Sequence, residues 1–237
     1  MMGRVGMNRI FLLSVSLMLG VFLIAADAAF ADDLRHIRLP KPQTSKGKPL
    51  MQVLAERTTS RSFSPEKLSE QELSNLLWAA FGINRPDTGK RTAPSAVNWQ
   101  EIEIYVATAD GLYLYDAKSN MLRQVLSEDI RALTGRQDFV KEVPVNLIYV
   151  ADFSKMGNAS KEDKILYSAA DTGFIAENVY LYCASEGLGT VVRGSIDRQT
   201  LAKEMKLNEN HNIILCQSVG YAKRMAMGEW SDMSSRP

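Results

Sequence analysis

Cysteine and histidine are scarce in this chain. The 237 residues hold two of each, Cys183, Cys216, His36 and His211. Two cysteines cannot build a disulfide scaffold, and the histidines have no ligand-like spacing, so no metal site is expected. No Ser-His-Asp or Cys-His arrangement stands out, which removes the usual reasons to expect a side-chain nucleophile. An excess of one charge is also missing: 28 Lys and Arg face 27 Asp and Glu, for a formal net charge of +1. Such balance gives no general attraction for nucleic acid or an anionic membrane. There is no internal repeat and no low-complexity tract.

The one long hydrophobic run lies at the start. Arg4 and Arg9 precede an apolar stretch from Ile10 to Ala26, and Ala29-Phe30-Ala31 supplies a small-x-small cleavage pattern before Asp32-Asp33. Residues 1–31 therefore read as a secretion signal. The run is short for a membrane span, which needs about 20 residues, although an uncleaved anchor is the competing reading. No cysteine near the site marks a lipoprotein, and no Arg-Arg pair marks export of a folded protein. Removal takes Arg4, Arg9 and Asp27 with it, so the mature 206 residues carry no net charge. The expected product is periplasmic or secreted, has no stable membrane span, and forms one domain with enough chain for a core. Each cysteine sits in an apolar run, as buried thiols do, while an oxidising compartment leaves a single bridge open.

Residues 32–49 are rich in Pro, Lys and polar side chains and read as an arm or linker, leaving 50–237 for the domain. A helix is expected from near Pro49. Ser69 and Glu72 form a capping box for the next, whose apolar face is Leu73, Leu76, Leu77 and Ala80 and whose stop is Gly82. From Glu101 the period becomes two, with Ile102, Ile104 and Val106 forming one face of a half-buried strand. Asp110-Gly111 and Lys118-Ser119-Asn120 are turns into further strands. Ser127 is expected to cap a short helix. Val143–Val150 reads as a buried strand, Lys161–Gly187 as a long helix apolar on most sides of its second half, and Thr190–Val192 and Ile213–Val219 as strands around a helix from Asp197. The class is α+β, with a mostly antiparallel central sheet flanked by helices, one of them long and buried.

Three segments carry chemistry. Arg57-Thr58-Thr59-Ser60-Arg61 sets two guanidinium groups and several hydroxyls in one loop, a donor set that suits a phosphate dianion. Taken alone it is also an ordinary capping loop. Pro94-Ser95-Ala96-Val97-Asn98-Trp99-Gln100 combines small residues that admit a flat ring with an Asn98 amide that can donate and accept. Glu186-Gly187-Leu188-Gly189-Thr190 is either a glycine C-cap or a place where the chain runs flat beside a ligand.

Taken in order, these segments resemble the nitroreductase family of FMN enzymes over roughly Leu50 to Arg224. Leu77–Gly82, Arg91–Ala96 and Gly111–Asp116 look most like the branch that includes the thiazoline and oxazoline dehydrogenases. The resemblance implies that Arg57, Thr58 and Thr59 hold the phosphate and ribityl chain, and that Arg61 approaches the N1–C2 carbonyl side. It implies that Pro94, Ser95, Ala96 and Asn98 line the ring of a partner subunit's flavin, hence a homodimer with FMN at the interface. Leu188 and Gly189 would lie near the ring, and Lys223 or Arg224 would supply a C-terminal phosphate contact. The implied activity is a two-step exchange, donor to FMN and FMN to an organic acceptor, with NAD(P)H, a quinone or a redox partner as donor. Alternatives are a non-catalytic flavin-binding protein and an azoline dehydrogenase. Departures from the family pattern are Thr58, where many members carry Arg or His, and Asn98-Trp99-Gln100, where the dehydrogenase branch has a Leu-Tyr-Pro-like segment.

Overall fold

Short strand-forming stretches broken by turn residues build a seven-stranded sheet in the computed structural model, which describes residues 35–223. In chain order the elements are β1 (His36–Arg38), α1 (Leu50–Glu56), α2 (Glu70–Phe81), the hairpin β2 (Ile83–Arg85) and β3 (Lys90–Arg91), β4 (Ile102–Thr108), β5 (Gly111–Asp116), β6 (Met121–Leu126) and β7 (Val145–Asp152). They continue with α3 (Lys161–Glu186), β8 (Leu188–Arg193), α4 (Arg198–Glu204) and β9 (His211–Tyr221). The sheet runs β1-β6-β5-β4-β7-β9-β8, and every neighbouring pair is antiparallel. The architecture is the expected α+β. The proposed signal, residues 1–31, and Arg224 lie outside the described residues.

The sheet is covered on both faces. Ile102, Ile104 and Val106 of β4 pack with Leu76, Leu77 and Ala80 of α2 and Ile175, Val179 and Cys183 of α3. The opposite face of the same strand, Tyr105 and Ala107, packs with Leu201 and Met205 in and after α4. The strand is therefore buried on both sides rather than one, because the short α4 closes a face that alternation alone leaves open. The α2 capping box forms as expected: Ser69 Oγ accepts from Glu72 N–H while Glu72 accepts from Ser69 N–H at 2.8 Å. Glu72 also accepts from the Tyr221 hydroxyl at 2.8 Å, tying the start of α2 to the end of β9.

Three expectations need correction. The arm is not a free linker: residues 36–38 pair with 121–123 and Leu39 is buried, so β1 covers the otherwise open edge of β6. Ser127 caps no helix. Asp129 instead accepts from the Arg131 backbone and guanidinium, a local turn that competes with helix formation, and a 3-10 turn follows at Arg131–Thr134. Finally, α3 is not buried all round. Ser168, Asp171, Thr172, Ile175, Ala176, Val179 and Cys183 form its buried stripe, while Ala169, Ala170 and Phe174 face outward with Ile165, Leu166 and Tyr167. Both cysteines are buried and unbridged, and burial pushes their thiols up, Cys216 to about 12.

Candidate functional site

The basic loop leaves the end of α1, where Arg57 N–H donates to Val53 carbonyl. It then lies along β8 and the end of β9. Ser60 N–H donates to Thr190 carbonyl at 3.0 Å, Phe63 pairs with Ala222, and Lys223 N–H donates to Ser62 carbonyl at 3.1 Å. Gly189 permits this approach, since a Cβ there would stand 2.9 Å from Ser60 Cβ and 3.2 Å from Ala222 Cβ. The close neighbour of Gly189 is thus the loop itself. Gly187, at φ +73°, is the left-handed C-cap of α3, so the C-cap reading of that glycine holds. Leu188 turns its side chain into the core cluster, leaving its backbone as the part nearest the loop.

Tyr180 of α3 organises the basic loop, and the sequence did not single it out. The Arg57 guanidinium lies 5.4 Å from its ring centroid, its hydroxyl is 3.4 Å from Thr59 Oγ1, and Val192 N–H donates to that hydroxyl at 3.1 Å. Thr58, Thr59, Arg61 and Lys223 are exposed and Arg57 is half-buried. Among the described residues, none of the three cations forms a salt bridge. The structure therefore gathers Arg57, Thr58, Thr59, Arg61, Leu188, Gly189 and Lys223 at one end of α3. A strip of unneutralised positive charge with hydroxyl and backbone donors fits an anion.

The second loop is strained. Val97, Asn98 and Gln100 have φ of 52°, 59° and 50°. Left-handed non-glycine residues cost about 1–3 kcal/mol each and persist only where the surroundings hold them. The surroundings here are Asp171, whose Oδ2 accepts Ala96 N–H at 2.9 Å, and Ser95, whose Oγ accepts Gln100 N–H at 3.0 Å. Arg91 anchors the far end, donating Nε to Gln100 Oε1 at 2.7 Å while stacking on Phe81. Trp99 meets the Tyr167 ring edge-on at 5.8 Å. Pro94, Val97 and Asn98 are left exposed at the tip.

Within one chain the two loops do not meet. Asp171 and Tyr180 are nine residues apart on α3, about 13 Å along the axis and half a turn around it. The loops they hold therefore sit on opposite sides of the helix. Beside the basic loop lies a cavity of about 230 Å³, lined by Thr58, Tyr180, Gly187 and Leu188 among others. Sites that enclose a small molecule usually have 300–1,000 Å³. A larger cavity of about 790 Å³ opens elsewhere, between Ile37, Leu68, Leu73 and Tyr113, and of the anticipated residues only Lys223 borders it. Glu103, Asp152 and His211 also converge, with Lys155 Nζ 2.7 Å from Glu103 and 3.7 Å from Asp152. That ammonium already neutralises the carboxylates a cation would need.

The sequence profile of the nitroreductase family matches residues 54–221. A protein of Methanocaldococcus jannaschii named as a candidate nitroreductase is 30% identical over 187 residues, which are 75% of this chain and 92% of that one. The FMN reductase (NAD(P)H) of Bacillus subtilis is 21% identical over 159 residues, 62% of this chain and 54% of its own length. A candidate nitroreductase from Ralstonia eutropha JMP134, solved by crystallography, superposes with a TM-score of 0.77 at 44% identity and covers 81% of this chain and 91% of that chain.

Proposed function

Because the chain belongs to the nitroreductase family, a class of oxidoreductases, we propose that it is an exported FMN-dependent oxidoreductase working as a homodimer. Residues 1–31 would be removed on export, leaving the arm of 32–49 and the flavin domain of 50–237 in the periplasm or medium. Arg57, Thr58 and Thr59 would hold the FMN phosphate and ribityl chain, Lys223 or Arg224 would supply a C-terminal phosphate contact, and Arg61 would face the pyrimidine carbonyl side. Leu188 and Gly189 would present backbone toward the ring. Pro94, Ser95, Ala96 and Asn98 would come from the second copy and close the ring in. When bound, FMN would supply hydride and electron transfer between a donor and an organic acceptor.

The observation that carries this reading is the placement of the two loops on opposite sides of α3. Each is half a site, and Leu166, Tyr167 and Phe174 lie exposed on the outer face of the same helix. A two-fold pairing across that face would bury it and bring the basic loop of one copy to the small-residue loop of the other. The donor set fits the cofactor: free cations and hydroxyls for a phosphate, and an exposed amide at Asn98 for a heterocycle edge. The B. subtilis relative, named for FMN and NAD(P)H, supports the same choice.

The test is a visible absorption spectrum of the mature protein, before and after anaerobic addition of NADH or a reduced quinone. A yellow dimer whose flavin band bleaches is expected. A yellow dimer that no donor bleaches would leave a binding protein, and a colourless monomer would contradict the proposal.

A further inference from the structure

We infer that Asp171 is the positioning residue of the Ser95–Gln100 loop, and that Glu101 maintains it in that role by holding the one proton the two carboxyl groups share. The inference deepens the proposed flavin site, since this loop is the half that would close on the partner's ring. Glu101 directly follows the loop and is 0% exposed, and Asp171 is 2% exposed. Both carboxyl oxygens of Glu101 are buried without a hydrogen-bond partner of ordinary geometry. A bare carboxylate in that position would be an isolated buried charge, so the group rests there as the neutral acid. Asp171, in contrast, accepts the Ala96 N–H at 2.9 Å, a bond that is strongest when its carboxyl is ionised. That N–H opens the turn carrying the three left-handed residues.

Among the described residues, the groups around the pair bring no positive charge, and only the Glu101 backbone N–H and the Ser168 hydroxyl favour an ionised Glu101. From α3 come Ser168, and Thr172 with its hydroxyl unpartnered, while the loop contributes only uncharged Ser95 and Ala96. On β7, Asp152 donates its backbone N–H to Glu101 carbonyl but turns its carboxylate to Ser154 and Lys155. Glu103, next on β4, is taken by Lys155 and His211. Among the described residues, no Lys, Arg or His pairs with either Glu101 or Asp171.

Burial first, then the neighbouring Asp171, raises the Glu101 carboxyl from 4.5 to about 7. Burial raises Asp171 too, opposed by the Ala96 N–H that it accepts. Because Asp171 has this donor and the Glu101 oxygens have none of ordinary geometry, the proton is placed on Glu101. The folded chain thus binds a proton that the unfolded chain releases near 4.5. Stability falls as pH rises through the window from 4.5 to about 7. Above it, two adjacent buried anions drive water in, and the strained loop loosens.

Trp99 sits in the loop and reports on it. The experiment uses flavin-free mature protein carrying Trp78→Phe and Trp230→Phe, so that Trp99 is the sole emitter, titrated from about pH 5.5 to about 8.5. The expected result is a one-proton red shift centred near neutral pH. It should be absent in Glu101→Gln, whose amide is permanently neutral and can donate to Asp171, and displaced to lower pH in Asp171→Asn. No transition in the parent, or a transition that survives Glu101→Gln or stays put in Asp171→Asn, would overturn the inference. In a parallel titration, FMN affinity should fall by up to about tenfold per pH unit above the transition in the parent and stay flat in Glu101→Gln. Protein that binds no FMN at any pH would sink the flavin reading and leave the tryptophan result to judge the carboxyl pair by itself.

Discussion

Replacing Arg57 with alanine is expected to weaken FMN binding by roughly 10- to 150-fold, because a charge-assisted hydrogen bond is worth about 1.5–3 kcal/mol. The guanidinium is half-buried against the Tyr180 ring and forms no salt bridge among the described residues. Its removal therefore strands no buried carboxylate, and the folding midpoint should stay nearly unchanged. Adding Arg61→Ala should deepen the loss, since a second exposed cation leaves the same loop. Arg57→Lys should recover part of the affinity but not the paired donors or the guanidinium's contact over the Tyr180 ring. Quenching of flavin fluorescence on titration measures all three. Retention of full affinity in the folded double variant would show that this loop is not the phosphate cradle.

The second large effect is expected from Phe174→Asp. Phe174 is 50% exposed on the outer side of α3, on one face with Leu166 and Tyr167. Burying a phenylalanine contributes about 1.5–3 kcal/mol, and a two-fold interface counts each residue twice. With half of each ring already covered in its own chain, loss of both should weaken the dimer by about 1.5–3 kcal/mol, before the added cost of burying two carboxylates. Sedimentation should show a folded monomer, because the ring supports little within its own chain. Its flavin should be lost together with the dimer. A variant that stays dimeric and yellow would place the interface, and the site, on another surface.

The sequence reveals local chemistry better than distant contacts. The capping box at Ser69 and Glu72 is legible because both hydrogen bonds span three residues, and both form. The hairpin at Asp110-Gly111 is legible for the same reason. Tyr180 and Asp171 escape notice because their partners, Thr59 and Ala96, lie 121 and 75 residues away. A lone acid inside the apolar run Ala169–Ala176 was the available signal for Asp171. The outer face of α3 differs from the expectation on the same ground: apolar residues on most sides imply burial, but only the stripe from Ser168 to Cys183 meets the sheet and its neighbours. The expected Ser127 helix fails because Asp129 bonds its own neighbourhood first. The residues of the two loops are readable as types, whereas their separation onto opposite sides of α3 follows only from which residues of that helix hold them.

Co-purified heterodimers test that division most directly. One chain would carry Arg57→Ala with Arg61→Ala and an intact Ser95–Gln100 loop; the other would carry Asn98→Ala with Ala96→Trp and an intact basic loop. If each site draws its halves from both copies, two-fold symmetry leaves one site whole and one doubly damaged, and the mixed dimer should hold about one FMN although neither variant alone binds it well. A mixed dimer as empty as its parents would mean that both loops serve the same chain's site, and the half-site account would be wrong.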